Sequence, residues 1–228
     1  MKIAIIGAMR EEVDPLLAKM NSVVETKYAN NIYYEATYKG KEIVVAYSKI
    51  GKVFSALTAT ILIEKFGCEM VLFSGVAGAI SSDLKIGDLI IADGLCQHDL
   101  DITAFGHPYG FVPEGEVCIP TDIRLREIAK QVAADKSIDL KEGIIATGDQ
   151  FVACSERKGW VAETFKASAL EMEGASVAVV CNALNIPFFI LRAISDSAND
   201  EAGLDFDTFL ESSAKVSADF ILDMVERL

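Results

Sequence analysis

Carboxyl side chains that could carry acid–base chemistry stand beside three apolar segments of this sequence. Glu12 lies early in a predicted helix, just past the first apolar segment, and Glu171 and Glu173 end a later one. Asp196 comes shortly after the strongly apolar stretch 187–191. Apolar surroundings raise the pKa of a carboxyl group, which suits a general acid, whereas an ionised carboxylate can serve as a base.

Each of these acids also has a structural interpretation. Acids in the first turn of a helix, such as Glu12, compensate the helix dipole. Glu171 and Glu173 share one face of an extended backbone and repel each other unless a partner such as Arg192 neutralises them, so they could form a structural ion pair. Asp196 could cap a turn. The residues alone leave both interpretations open.

A small-residue turn and an aromatic side chain are further candidates for ligand contact. The predicted turn at 75–78 could let backbone approach a ligand closely, or could simply be tight. It lacks the Gly-Lys-Ser/Thr of a phosphate-binding loop and the spacing of a dinucleotide-binding fingerprint. Phe151 follows Gly-Asp-Gln at a strand end, where it could stack on a flat ligand or pack in the core.

Apolar periodicity predicts the elements that position these candidates. The predicted strands cover 2–7, 33–38, 42–47, 70–75, 89–92, 143–147, 167–172 and 187–194. The predicted helices cover 10–20, 51–66, 121–134 with Thr121 as its N-cap, 155–165, 175–185 and 206–228, and 109–120 is predicted to be a loop.

Strands that alternate with helices indicate an α/β fold. We expect one domain over 1–228, a three-layer sandwich in which helices flank a mixed, mostly parallel central sheet. Ligands of such sheets bind beyond the carboxyl ends of the strands, which is where the candidate acids fall.

Composition and charge disfavour several functions. The 228 residues carry a formal net charge of −13 and show no basic stripe, so nucleic acid is not an expected partner. Two histidines and five scattered cysteines offer no metal-ligand spacing, so reduced thiols are expected, with no metal and no cofactor. No signal segment or membrane-length apolar run is recognised, which favours the cytoplasm over a membrane.

Seven segments together resemble the bacterial 5′-methylthioadenosine/S-adenosylhomocysteine nucleosidases, which have the purine nucleoside phosphorylase fold. They span nearly the whole chain in the family's order: 5–12, 48–52, 75–78, 98–99 with 103–105, 148–151, 171–174 and 192–196. The amino-acid sequences of segments 48–52, 75–78 and 148–151 are most similar to those of the subgroup that also hydrolyses 6-amino-6-deoxyfutalosine for menaquinone synthesis.

The resemblance implies hydrolysis of the N-ribosidic bond of adenine nucleosides modified at the 5′ carbon, 5′-deoxyadenosine included. Asp196 would protonate adenine N7, Glu12 would activate water and Glu173 would hold the ribose hydroxyls. Phe151 would stack on adenine, whose edge the Val152 backbone would read. Further substrate contacts are implied for Met9, Val76, Gly78, Met172, Arg192 and Ser195, and a pocket for the 5′ substituent is implied for Ile50, Ile102, Phe105, Pro113 and Phe206.

The implied chemistry is coherent, because cleaving an N-glycoside needs an acid for the leaving base and a base for the attacking water. A phosphorolytic transferase is one alternative, but Val76 replaces the serine of many relatives, Phe73 is apolar and Glu12 would repel phosphate. A non-catalytic nucleoside sensor is a second, and a structural oligomer component a third. The family also implies a homodimer in which a partner residue closes the 5′ pocket.

Overall fold

The computed structural model describes residues 1–199 and 202–228, which form ten strands and six α-helices. The strands are β1 (Lys2–Gly7), β2 (Asn21–Tyr28), β3 (Asn31–Tyr38), β4 (Lys41–Tyr47), β5 (Met70–Ala79), β6 (Leu89–Gln97), β7 (Cys118–Pro120), β8 (Leu140–Thr147), β9 (Ala167–Glu171) and β10 (Phe188–Asp196). The helices are α1 (Arg10–Leu17), α2 (Lys52–Glu64), α3 (Ile123–Asp135), α4 (Ser155–Phe165), α5 (Gly174–Leu184) and α6 (Ala202–Arg227), and one 3-10 turn covers Thr103–Phe105.

The strands form one mixed sheet in the order β10-β6-β8-β9-β5-β1-β4-β3-β2, in which β5 also pairs with β10 and β7 pairs with β6. Strand β1 runs parallel to β4 and β5, and β10 runs parallel to β5. The β9–β5 and β10–β6 pairs are antiparallel. The predicted α/β fold with a mixed central sheet flanked by helices is confirmed.

Helices cover both faces of the sheet because successive residues of its central strands are apolar and point to opposite sides. In β1, Ala4 and Ile6 belong to a core that also holds apolar side chains of α2 and α5. Ile3 and Ile5 belong to the opposite core, with side chains of α1, α3 and α6. Because β1, β5 and β10 run parallel to one another, their carboxyl ends lie at one edge of the sheet.

Two strands were not predicted. Strand β2 is the edge strand of the sheet, and its residues are almost all exposed, so it lacks the apolar alternation from which strands are predicted. Strand β7 lies inside the predicted loop 109–120 and is three residues long. It forms only because β6 extends beyond its predicted end and offers a pairing edge.

Two predicted helix starts were also wrong. Asp122, not Thr121, caps α3, and its side chain accepts hydrogen bonds from the N–H groups of Arg124 and Leu125. The Thr121 hydroxyl instead donates to the carbonyl of Ala92 at 2.5 Å, because the neighbouring strand offers a buried acceptor. Helix α6 is already formed at its first described residue, four positions before the predicted start.

Two further findings concern the described part of the chain. None of its helices combines the length and the apolar composition needed to cross a membrane. All five cysteines are unpaired; Cys68, Cys96 and Cys181 are buried, whereas Cys154 is exposed.

Candidate active site

A cavity of about 330 Å³ lies where β1, β5, β9 and β10 end. It is largely apolar, but three separate elements bring carboxyl groups to it. Its lining comprises Ala8, Met9, Glu12, Ile50, Val76, Ala77, Gly78, Phe151, Leu170, Glu171, Met172, Glu173, Ser195, Asp196 and Phe206. Most of the residues predicted for the site therefore meet in one place.

Glu12 is buried in the first turn of α1 and is only 2 % exposed. Its Oε2 atom accepts hydrogen bonds from the N–H groups of Ala8 at 2.5 Å and Met9 at 3.1 Å, and Oε1 accepts one from the N–H of Val76 at 3.1 Å. Burial raises the pKa of Glu12, while the charge of Arg192 and the three N–H donors oppose the rise. The carboxyl group is therefore held at the cavity wall. Compensation of the helix dipole alone does not account for this placement.

Asp196 ends β10 and is almost fully buried. Its Oδ2 atom accepts a hydrogen bond from the Ser195 hydroxyl at 2.9 Å, and Oδ1 accepts one from the N–H of Ala198 at 2.9 Å. Burial raises the pKa of Asp196 against the effect of these two bonds. The side chain thus caps the following turn and also presents a carboxyl group that keeps its proton to higher pH than an exposed aspartate does.

Glu173 directly precedes α5 and brings a third carboxyl group to the cavity. Its Oε1 atom accepts a hydrogen bond from the N–H of Gly51 at 2.8 Å. Burial, with the neighbouring charge of Glu171, raises the pKa of Glu173 to about 8. At neutral pH the side chain is mostly protonated, so it can both donate to and accept from a hydroxyl group.

Glu171 also lines the cavity, but its carboxyl group is committed to a buried ion pair. Its Oε2 atom lies 2.7 Å from Nη2 of Arg192 and also accepts from the N–H of Gly174 at 2.7 Å, while the Thr147 hydroxyl donates to Oε1. The Arg192 guanidinium is buried over the ring of Phe73, 4.2 Å from its centroid. For Glu171 the structural interpretation is therefore the correct one.

Two glycines of β5 make room for the catalytic candidates. The predicted turn at 75–78 is wrong, because β5 continues to Ala79. A Cβ atom on Gly75 would lie 2.9 Å from Oε1 of Glu12, and one on Gly78 would lie 2.6 Å from Oδ1 of Asp196. Only glycine lets both buried carboxyl groups approach the strand this closely.

The apolar side of the cavity carries two aromatic rings. Phe151 and Phe206 meet edge to face, with ring centroids 5.6 Å apart and an interplanar angle of 76°. Phe151 is 46 % exposed, so core packing does not account for it. Its ring stands at the cavity wall, where a flat ligand could stack on it.

Five of the predicted site residues lie outside the cavity lining. Val152 is buried in a separate apolar cluster, and Arg192 lies behind Glu171. Ile102 directly precedes the 3-10 turn, and Phe105 within that turn is 81 % exposed. Pro113 lines a different cavity. Within one chain, three of the five residues expected around a 5′ substituent are thus absent from the site.

The cavity also contains residues that were not predicted. Ala8, Ala77 and Leu170 line it, and each is the chain neighbour of a predicted or weighed site residue, which was the available signal. Gly51, which donates a hydrogen bond to Glu173, lies outside the lining but follows the predicted Ile50, so the same signal was available for it. Among the described residues, no group of three His, Cys, Asp or Glu side chains is placed to hold a metal ion.

Comparison with known proteins identifies the class to which this fold and site belong. The phosphorylase superfamily matches residues 2–226, and the chain belongs to that superfamily. Across its full length it is 56 % identical to an aminodeoxyfutalosine nucleosidase of Campylobacter jejuni, whose whole length is covered. The resemblance predicted from the sequence is therefore confirmed.

Two further relatives carry a second name. A 5′-methylthioadenosine/S-adenosylhomocysteine nucleosidase of Oceanobacillus iheyensis is 40 % identical over 229 residues, with both chains fully covered. A crystal structure of the Helicobacter pylori nucleosidase of that name, with butyl-thio-DADMe-Immucillin-A, superposes with a TM-score of 0.98 at 52 % identity. The superposition covers 100 % of the present chain and 99 % of the H. pylori chain.

Proposed function

We propose that this protein is an N-glycosyl hydrolase that releases adenine from 5′-methylthioadenosine and S-adenosylhomocysteine. The observation that carries the proposal is that Glu12, Glu173 and Asp196 line one largely apolar cavity of about 330 Å³. Pockets of this size suit a nucleoside-sized ligand, and a few convergent polar groups suffice to orient it. The relatives named nucleosidases match this chain end to end.

The three carboxyl groups have complementary roles in this reaction. Asp196 donates its proton to N7 of adenine as the C1′–N9 bond breaks, so that the bond's electron pair leaves with a neutral base. Glu12 takes a proton from water, whose oxygen forms the new bond to C1′. Glu173 hydrogen-bonds the ribose hydroxyls, and the ionised carboxylate of Glu12 stabilises the positive charge that develops on the sugar.

Phe151 forms the base side of the site and Met9 and Met172 form the sugar side. The exposed face of the Phe151 ring stacks on adenine, and the Val152 backbone reads the base edge. Val76, Gly78 and Ser195 supply the close walls around the nucleoside, while Ile50 and Phe206 begin the pocket for the 5′ substituent. Arg192 acts from behind the wall through its charge on Glu12.

Water rather than phosphate is the nucleophile. The N–H groups of Ala8, Met9 and Val76, which could have held an anion, already donate to Glu12. The nearest buried cation, Arg192, is paired with Glu171. A phosphate ion would therefore meet a carboxylate with no uncommitted cation to compensate it.

Turnover is accordingly expected not to depend on phosphate. Adenine release from 5′-methylthioadenosine should change by less than about twofold between phosphate-free buffer and buffer with added phosphate. The sugar product should be the free pentose, identified by mass spectrometry. Phosphate-dependent turnover that yields a ribose 1-phosphate would identify a phosphorylase instead.

The substrate range also includes 6-amino-6-deoxyfutalosine and 5′-deoxyadenosine. This chain is more similar to the aminodeoxyfutalosine nucleosidase of C. jejuni than to the O. iheyensis enzyme, at 56 % against 40 % identity. All these substrates share adenine and ribose, so only the 5′ pocket must accommodate the difference. Such a reaction belongs in the cytoplasm, where unpaired thiols such as these persist.

The working form is a homodimer in which the partner completes the 5′ pocket. Four apolar residues, on α2 and just before it, are each at least 45 % accessible in the single chain: Ile50, two residues before the helix, and Val53, Phe54 and Leu57 within it. Ile50 also lines the cavity, so this apolar surface adjoins the cavity mouth. A partner packed there would bring its own copies of Ile102, Phe105 and Pro113 to the substrate.

The dimer makes a direct prediction about mass. Sedimentation equilibrium should give twice the mass of one chain, and Leu57→Glu should shift the protein towards monomer because it buries a charge in the apolar contact. Val216→Glu serves as the control, because it places the same charge on an exposed apolar residue of a different helix, α6. A monomer mass that does not change with concentration would rule the dimer out.

A further inference from the structure

A hydrogen-bonded clasp lies beside the cavity and joins three segments that are distant in the sequence. It consists of Lys52 at the start of α2, Asp99 after β6 and Asp149 after β8. Lys52 Nζ lies 2.7 Å from Oδ1 of Asp99, the N–H of Asp149 donates to Oδ2 of Asp99 at 2.8 Å, and the N–H of Lys52 donates to Oδ1 of Asp149 at 2.8 Å. The three residues therefore close a ring of contacts.

Asp99 favours its ionised form although it is partly buried. Burial opposes ionisation of Asp99, but the hydrogen bonds from Lys52 and Asp149 lower its pKa below the ordinary value. The Lys52–Asp99 pair is 18 % and 25 % exposed at its side chains, so it is shielded from solvent more than a surface ion pair. Such pairs hold segments in register more firmly than freely exposed ones do.

On the sugar side, the clasp determines where one backbone amide points. The N–H of Gly51, next to Lys52, donates to Oε1 of Glu173. Gly51 has a φ of +100°, a conformation that favours glycine, and a Cβ atom there would lie 3.0 Å from Oδ1 of Asp149. The side chain of Asp149 thus packs against Gly51 and holds the peptide between Gly51 and Lys52, which is next to the peptide whose N–H donates to Glu173.

On the base side, the same aspartate anchors the loop that carries Phe151. Asp149 lies two residues before Phe151, and its N–H is held by Asp99. The preceding Gly148 packs against the buried ring of His98, since a Cβ atom there would lie 2.4 Å from its Nε2. One side chain therefore connects the wall proposed for the purine with the carboxyl proposed for the ribose.

We propose that Asp149 is a positioning residue of the active site, which acts through the Gly51 amide on Glu173 and is itself held by Asp99 and Lys52. This inference rests on the proposed function, because Glu173 is taken as the group that holds the ribose. Asp149 does not line the cavity, and it contributes by fixing the geometry of a group that does.

A double-mutant cycle tests this role. Asp149→Ala removes the acceptor for Lys52 and is expected to lower kcat/KM for 5′-methylthioadenosine roughly tenfold. In the Glu173→Ala background the same substitution should cost less than roughly threefold, because the side chain through which it acts is absent. Asp149→Asn, whose amide oxygen can still accept from the Lys52 N–H, should restore activity to within about threefold of the parent.

Controls separate positioning from folding. Asp219→Ala removes an exposed partner of Lys19 far from the clasp in sequence and should leave kcat/KM unchanged. If Asp149→Ala does not fold, as judged by its thermal transition, Lys52→Met provides the same cycle by removing the Nζ contact to Asp99. Equal losses in the parent and Glu173→Ala backgrounds would overturn the positioning role. A parent protein that releases no adenine would instead overturn the proposed function itself.

Discussion

Asp196→Asn is expected to lower the rate of adenine release from 5′-methylthioadenosine at least about 100-fold, which corresponds to about 2.7 kcal/mol of transition-state stabilisation. Asparagine has nearly the same shape: its oxygen can accept from the N–H of Ala198, and its amide group can donate to the Ser195 hydroxyl. It has no carboxyl proton to give to N7. The leaving base would depart as an anion, and the reaction would lose its acid catalysis. Single-turnover measurement of adenine release gives the ratio.

The pH dependence of the parent enzyme tests the same assignment. A general acid acts while protonated, so kcat/KM should fall as the pH rises through the pKa of Asp196, which burial raises. Glu173, with its pKa of about 8, titrates in the same direction, and the fall that remains in Glu173→Gln therefore reports Asp196.

Asp205→Asn is the matched control for Asp196→Asn. Asp205 lies on α6, outside the cavity lining, and acts on Asp196 only through its charge. Its replacement should change the rate by less than about threefold. A loss under tenfold for Asp196→Asn would contradict the acid assignment. If that variant bound the nucleoside normally and the parent released no adenine, the protein would be a nucleoside sensor.

Glu12→Gln is likewise expected to reduce turnover at least about 100-fold. The glutamine side chain fits the same space, but its amide cannot take a proton from water and presents one acceptor oxygen where the carboxylate has two. The N–H groups of Ala8, Met9 and Val76 would keep one acceptor oxygen of the two that Glu12 offers. Substrate binding should change less than kcat, because the proton transfer from water occurs only in the chemical step. Steady-state kinetics that separate kcat from KM check this.

The sign of the pH effect is opposite for Glu12. A general base acts while ionised, so activity should fall as the pH drops through the pKa of Glu12, and burial places that fall above the pH of an ordinary glutamate. Glu11→Gln, the exposed neighbour on the same helix turn, is the control and should keep near-parental activity. Parental activity in Glu12→Gln would show that another group activates the water.

The candidate acids could be found in the sequence because a carboxyl group next to an apolar segment is conspicuous there. A carboxyl group beside an apolar strand is costly unless it has partners or a task, so Glu12 and Asp196 stand out locally. The same local reasoning could not separate Glu171 from Glu173, which are two residues apart. Only the packed structure shows that Arg192 neutralises Glu171, whereas the Gly51 amide meets Glu173.

Local patterns also missed features that depend on pairing between distant segments. The run 75–78 has the composition of a turn, yet it is strand, because β10 pairs with it along its length and Glu12 and Asp196 occupy the space its glycines leave. Strand β2 has no buried face and hence no periodic signal. The family resemblance implies Ile102, Phe105 and Pro113 for the 5′ pocket, but a single chain does not bring them to the cavity.

The sequence alone therefore determined the order of strands and helices, the family and the acidic groups, because apolar periodicity and the cost of burying charge act within a few residues. The tertiary structure decided which acid of the cavity lining is neutralised by Arg192 and which is not. It also decided that the clasp of Lys52, Asp99 and Asp149 spans the two sides of the site. These outcomes depend on contacts between segments up to 122 residues apart, whose geometry follows only from the packing of the whole sheet.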